Sequence, residues 1–159
     1  MSEFTEAMAQ LAGGVAVVTV RDGRDDVGNT VSTLLSVSAE PPLILVSLTS
    51  SSYLAELLLR QDRWAASLLA DGQQAIASRF ATPGRPGARL LLAGTPHHRG
   101  PVSEALLIDD GVAALEAETT RVVPAGDHTL FLATVLSVDY VDAVRSPLVR
   151  LRSRYRPVG

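Results

Sequence analysis

The chain has 159 residues, enough for one domain with a sizeable core, and its 47% hydrophobic and 19% charged composition is that of a folded protein. A formal net charge of −3 gives no field for nucleic acid, and the lack of cysteine excludes disulfides, thiolate metal sites and cysteine nucleophiles. All 14 cationic side chains are arginines, so lysine Schiff-base chemistry is excluded and any phosphate must be met by Arg, hydroxyls or backbone N–H groups. The opening Met1-Ser-Glu-Phe-Thr-Glu6 is acidic without an apolar core, and no apolar run reaches membrane-spanning length. The expectation is a cytoplasmic protein with no signal peptide and no membrane segment.

Phe4 to Ala12 fits a short amphipathic helix capped by Ser2 and ended by Gly13-Gly14; Phe4, Met8 and Leu11 fall at helical spacing and are expected in the core. Val15 to Val20 is a strand and Arg21 to Asp26 a charged turn. Gly28 to Ser38 reads as one strand on which Thr30, Ser32, Ser36 and Ser38 share a face, interrupted by Leu34. That face carries small neutral hydrogen-bonders and no charge. It suits either a flat polar ligand approached closely or a soluble edge strand. Pro41-Pro42 break the chain before a strand over Leu43 to Leu48, and the hydroxyls of Thr49 to Ser52 cap a helix over Tyr53 to Leu59. Arg63 to Leu69 is a strand and Asp71 caps a helix over Gly72 to Phe80. Thr82 to Arg89, with two prolines and two glycines, is a loop and the candidate for a mobile lid. Residues 90–107 carry no clear pattern. Val112 to Val123 and Thr129 to Tyr140 are strands joined by a turn at Pro124 to Asp127; Pro147 to Leu151 is a last strand, and Arg152 onward a tail. No repeat or linker divides the chain, so 1–159 is one domain. Many strands with few short helices imply a closed β-barrel with helical decoration.

His97 and His98 lack a carboxylate at metal-ligand spacing and read as a surface loop pair, so no metal site is predicted. Gly126-Asp-His128 is different. Asp127 is placed to hold the His128 imidazole in one tautomer with its other nitrogen free for a ligand; a turn-stabilising Asp beside a half-exposed His is the alternative. Glu116 and Glu118, two apart on a strand, read as a solvated face. No Gly-x-Ser-x-Gly, Gly-x-Gly-x-x-Gly or P-loop motif supports a serine hydrolase or a Rossmann or P-loop nucleotide site. The best place for a phosphate is the helix start at Ser50 to Tyr53, with Arg79, Arg85 and Arg89 as counter-charges. Arg145, Arg150, Arg152, Arg154 and Arg156 make the C-terminus basic, either as a solvated strand face or as a site for an anionic cofactor.

Several segments, in order along nearly the whole chain, together resemble the flavin reductase family, the NAD(P)H:FMN oxidoreductases of two-component monooxygenases. Gly28-Asn-Thr-Val-Ser-Thr-Leu-Leu-Ser-Val-Ser-Ala-Glu-Pro-Pro-Leu43 resembles its central motif, Trp64-Ala-Ala-Ser-Leu-Leu-Ala-Asp-Gly-Gln-Gln74 the next strand and helix start, Ala125-Gly-Asp-His-Thr-Leu-Phe-Leu132 its Gly-Asp-His strand, and Pro147-Leu-Val-Arg-Leu-Arg-Ser-Arg-Tyr155 its closing strand. The resemblance implies a mainly β fold, the FMN-binding split β-barrel of Greek-key type with a few short helices. It implies a homodimer with a flavin, FMN or FAD, at each subunit interface. It implies NADH or NADPH as reductant and a flavin-dependent monooxygenase as partner, with no nucleic acid or membrane.

Carried over by position, Thr30, Val31, Ser32 and Thr33 would bond the isoalloxazine edge and ribityl chain, and Ser47, Leu48 and Thr49 would border the ring. Ser52 and Tyr53 would receive the phosphate, and Ser67 and Leu68 would line the ribityl-phosphate channel. His128 would lie beside the nicotinamide as the catalytic candidate, and Arg154 and Tyr155 would help hold NAD(P)H. The chain departs from the family at Ser67, where relatives commonly have Asn, and in the lid, where Gly84 to Arg89 lacks the usual Lys-Phe pair. Val112-Ala-Ala replaces a more aromatic strand, and Val149-Arg150-Leu151 stands where relatives usually place an aromatic residue. A pyridoxamine-phosphate-oxidase-like oxidase and a non-catalytic flavin-binding or electron-transfer module are the competing readings.

Overall fold

The computed structural model describes residues 2–158 of the chain. Helix α1 (Glu3–Met8) starts on Ser2, whose hydroxyl accepts from the Thr5 N–H, and leads to the two-residue strand β1 (Gly13–Gly14). Two hairpins follow, β2 (Ala16–Asp22) with β3 (Asp25–Val31) and β4 (Leu34–Ala39) with β5 (Pro42–Thr49). Next come helix α2 (Tyr53–Leu58), strand β6 (Arg63–Leu68), a 3₁₀ turn at Asp71–Gln73, and helices α3 (Gln74–Ala81) and α4 (Ala88–Leu91). A small hairpin, β7 (His97–Arg99) with β8 (Leu106–Ile108), precedes the long strands β9 (Ala113–Ala125) and β10 (His128–Val141) and the closing hairpin β11 (Leu148–Leu151) with β12 (Arg154–Pro157).

Seven strands form one antiparallel sheet in the order β3-β2-β6-β9-β10-β5-β4. Laid flat, its outer strands would stand about 29 Å apart at the usual strand spacing. Yet β3 ends at Val31 and β4 begins at Leu34, a separation of at most about 11 Å for extended chain. The sheet must therefore roll until its edges face each other. Those edges are not hydrogen-bonded: the barrel is split, not closed. A second sheet, β1-β11-β12, lies outside it.

The interior is filled by Val18, Val46, Leu48, Trp64 and Phe131 together with Leu54, Leu57 and Leu58 of α2. A second cluster, on the other side of β2, gathers Val15, Val17, Ile76, Phe80, Leu92, Ile108 and Leu148. Strand β2 is thus buried on both faces, which explains why Ala16 to Val20 carry no charge; its one hydroxyl, Thr19, donates to the Leu106 carbonyl at 2.6 Å. Gly13 is required by close approach, since a Cβ there would stand 2.8 Å from the Ser32 carbonyl oxygen. No helix among the described residues is long and apolar enough to cross a membrane.

Several expectations are corrected. The hydroxyl-rich segment is two strands with a bend at Ser32-Thr33, so its hydroxyls do not share one continuous face. Phe4, Met8 and Leu11 are exposed (71%, 49% and 72%), because α1 lies on the outside with none of the described residues over that side. Gly13-Gly14 pairs with β11 rather than simply ending the helix. The tail is strand β12, returned by a turn in which Arg152 and Ser153 both adopt positive φ (52° and 62°). Asp71 lies in the 3₁₀ turn, and it is the Gln73 side chain that accepts from the Ala70 N–H.

The two acidic and histidine pairs also differ from expectation. Glu118 pairs with Arg63, but Glu116 is fully buried: its Oε1 accepts from the Val102 and Ser103 N–H groups and the Ser103 hydroxyl, and its Oε2 has no partner among the described residues. His97 and His98 lie on a strand, and His98 is held between Asp109 (2.6 Å) and Asp139 (2.9 Å).

Candidate functional site

Two cavities meet at Asn29 on β3. The larger, about 940 Å³, lies between β3, the start of α2 and residues 84–93. Gly28 makes this possible: a Cβ there would stand 2.7 Å from the buried Phe80 ring, so only a bare backbone lets α3 lie across β3. The segment read as a mobile lid is tied at two points. Arg85 donates through Nε and Nη2 to the Gly28 carbonyl (3.0 and 2.9 Å) and through Nη1 to the Thr82 carbonyl. Arg89 donates to the Arg24 carbonyl (2.7 Å) and lies 3.3 Å from Asp26. Asp26 is nearly fully buried and also receives both terminal nitrogens of Arg99, whose pKa is raised first by that bond.

Arg85 is electrostatically different from its neighbours. It lines the cleft, is half-buried, and among the described residues is bonded only to neutral carbonyl oxygens; burial pulls its pKa down. Three of its five N–H groups are engaged, leaving one on each terminal nitrogen. A cation without a carboxylate facing a cleft is a ready partner for an anion.

The smaller cavity, about 250 Å³, is lined by Asn29, Thr30, Ser32, Ala81, Arg150 and Tyr155, with Val15 and Val31 behind. The Thr30 hydroxyl donates to the Ala77 carbonyl at 2.7 Å, which leaves its lone pairs as acceptors. The Arg150 guanidinium lies 5.5 Å from the centre of the Tyr155 ring. Within the described residues, the Asn29 amide, the Ser32 hydroxyl and the Arg150 guanidinium make no hydrogen bond to protein.

The other sequence-predicted residues spread around these cavities. Val31 and Leu48 are core side chains. The Thr33 hydroxyl donates to the Ser47 carbonyl at 2.6 Å and so fixes the β3–β4 bend onto β5. Ser52 caps α2 by accepting from the Ala55 N–H, and both Ser52 and the exposed Tyr53 line the larger cleft. Ser67 is buried and accepts from the Ile108 N–H at 2.9 Å, while Leu68 sits in an apolar groove with Leu34, Val112 and Leu148. Arg79 lines neither cavity and points at the Leu91 carbonyl and Thr95 hydroxyl. Arg154 is exposed and, next to Tyr155 on a strand, faces the opposite way.

His128 starts β10 opposite Thr49 and bonds Asp127 through Nδ1 at 2.7 Å, which leaves Nε2 free. That bond holds the Asp127 carboxyl below the usual carboxylate range. The Ser50 N–H donates to the Asp127 carbonyl, so the imidazole stands beside the Thr49–Ser52 corner and outside both cavities. Sequence reasoning missed Asn29 and Asp26 as site residues. It met Arg150 as one of the basic C-terminal cluster, read as a solvated face or a site for an anionic cofactor, and as a departure from the family pattern.

Residues 8–159 match the model of the flavin reductase like domain. The chain belongs to the flavin reductase family. Among flavin reductases it is 39% identical over 157 residues to the NADH-dependent FMN reductase AsuE2 of Streptomyces nodosus subsp. asukaensis, covering 97% of this chain and 83% of that one. It is 33% identical to the reductase component of the 4-hydroxyphenylacetate 3-monooxygenase of Thermus thermophilus, over 96% and 93% of the two chains. Its fold superposes on the NADH:FAD oxidoreductase SgcE6 of Streptomyces globisporus C-1027, solved with NAD and FAD fragments, with a TM-score of 0.90 at 29% identity, over 98% and 91% of the chains.

Proposed function

We propose that this flavin reductase uses NADH or NADPH to reduce FMN or FAD and releases the reduced flavin to a partner monooxygenase in the cytoplasm. The observation that carries the reading is the junction at Asn29. A pocket of hydrogen-bonders, uncharged except for Arg150, opens there into a cleft that holds a half-buried arginine with no carboxylate partner among the described residues. This donor set fits a flavin: the polar edge of the ring needs donors and acceptors, and the phosphate needs a cation. When bound together, the two cofactors supply the hydride chemistry themselves.

In this reading Asn29, Thr30 and Ser32 orient the ring edge, and the cleft beside Ser52, Tyr53 and Arg85 takes the phosphate. Val31, Leu48 and Ser67 act from behind by fixing the strands that carry these groups. His128, with Nδ1 held by Asp127, offers Nε2 to position the nicotinamide or relay a proton. The protein's contribution is geometry, holding two rings in contact while excluding water.

A homodimer accompanies the reading. Leu35, Leu45 and Leu132 fall in register on one outward row of the β4-β5-β10 ladder, and Leu35 is 51% exposed. With the exposed Phe4 and Met8 of α1, this row offers an apolar surface for which a second copy is the proposed cover.

Anaerobic mixing of the protein with FMN and NADH or NADPH tests the activity: the visible flavin absorbance should bleach. No bleaching with either nucleotide refutes it, and bound flavin that stays yellow points to a module without turnover. His128→Ala should slow bleaching about tenfold or more while changing the FMN Kd less than about threefold. An unchanged rate removes His128 from the mechanism.

A further inference from the structure

Arg150 is the one charged side chain in the smaller cavity. Around it stand the Asn29 amide, the Ser32 hydroxyl and the lone pairs of Thr30. Among the described residues its own N–H groups have no protein partner, and no carboxylate lies within ion-pair distance. It is half-buried and stays beside Tyr155, its direct neighbour across the β11–β12 hairpin, through the face of that ring. A cation placed in a neutral pocket and left without a counter-charge is costly unless something anionic comes to it.

The pocket's hydrogen-bonders select which part of a flavin enters. The dimethylbenzene edge is apolar and would leave Asn29 and Ser32 unpaired, whereas the pyrimidine edge matches them. Reduction changes the charge of that edge. Hydride transfer moves two electrons and a hydrogen from NAD(P)H to flavin N5, leaving NAD(P)⁺. The negative charge then rests on N1 and the C2 oxygen until a proton joins it.

We infer that Arg150 faces the pyrimidine edge of the flavin and makes the pocket prefer the reduced, anionic form over the oxidised one. The inference rests on the flavin reading above. Its consequence is a protein that draws the reaction forward and keeps the product until an acceptor arrives, with Arg150 setting the preference through charge near N1.

The test is anaerobic titration of apo-protein with oxidised and with dithionite-reduced FMN, repeated with riboflavin, for the wild type, Arg150→Gln and Arg150→Lys. For Arg150→Gln, the ratio of oxidised to reduced Kd should fall about tenfold, equal to about 30 mV in the two-electron potential. Arg150→Lys should restore most of it. Riboflavin should show the same change, because the contact is to the ring. A ratio unchanged by Arg150→Gln overturns the inference, as does a change seen with FMN but not riboflavin, or one confined to the KM for NAD(P)H. A wild type that binds neither flavin fails the underlying reading instead; one that binds flavin without the ratio change fails only the role of Arg150. Circular dichroism and thermal unfolding of Arg150→Lys and Arg150→Gln separate a local effect from misfolding.

Discussion

Replacing Arg85 by Ala separates two roles that one side chain holds. Two N–H groups strap the segment to β3 at the Gly28 carbonyl, a third holds Thr82, and two more are left for a ligand in the cleft that Arg85 lines. Gly28 is buried but lines the cleft, through which water can reach its carbonyl when the arginine is removed, so the loss should cost about 1–3 kcal/mol. For a chain of this length that lowers Tm by about 2–4 °C per kcal/mol. A charge-assisted hydrogen bond to phosphate contributes about 1.5–3 kcal/mol. Removing it predicts an FMN Kd raised about 10- to 150-fold, and the open cleft favours the lower end of that range. Riboflavin lacks the phosphate, so its Kd should change less than about threefold. Quenching of flavin fluorescence measures all four affinities, and Arg85→Lys, with charge but no fork, should fall between wild type and Arg85→Ala. An equal loss for FMN and riboflavin would reduce Arg85 to a structural strap, and an unchanged FMN affinity would remove the phosphate from its neighbourhood.

Two further outcomes follow from groups away from the cleft. Glu116→Ala strands the buried Ser103 N–H and the partly buried Val102 N–H and should cost about 2–6 kcal/mol in urea unfolding, at about 1–3 kcal/mol per orphaned donor. Glu116→Gln keeps an acceptor oxygen and should lose less than half as much; a Gln variant as unstable as the Ala variant would mean that the charge, not the acceptor, matters. His98 bears on the pH dependence of stability. Burial opposes its charged form, but the bonds and charges of Asp139 and Asp109 outweigh that and raise its pKa above the ordinary value. A raised folded pKa means that the contribution is complete below about pH 6.5 and is lost as pH rises through the folded value. With the ring some 40% exposed, screening holds this to less than about 1 kcal/mol. His98→Gln should flatten that slope, and an unflattened slope assigns it to another group.

The sequence carried the strand alternation, the capped helix at Ser52 and the Gly-Asp-His turn well, because each rests on local chemistry. It carried β12 poorly. A two-residue hairpin turn with both residues at positive φ usually announces itself with Asn-Gly, and here Arg152 and Ser153 occupy it. The bend at Ser32-Thr33 was illegible for another reason: nothing in that dipeptide breaks a strand, and it is the Thr33 bond to Ser47 and the approach of Gly13 that fix it. Glu116 read as solvated because a strand period places it on a face but not what covers that face; the β7–β8 hairpin does. The pocket around Arg150 joins residues 120 positions apart, and no local pattern reports such a meeting.

The two-residue link between the sheet's edges also constrains how the molecule is made. β3 and β4 are neighbours in sequence but stand at opposite ends of the strand order, and β9 and β10, which bridge the two halves, come late. A chain emerging from the ribosome presents the β2–β3 and β4–β5 hairpins with β2 and β5 open along edges that only later strands can occupy. Closure of these non-local pairings is a slow step that leaves unpaired edges exposed in the meantime. The small pocket, with walls from residues near both ends of the chain, becomes able to take a ligand only after synthesis is all but complete. Flavin added during refolding should therefore speed recovery only after the sheet has rolled.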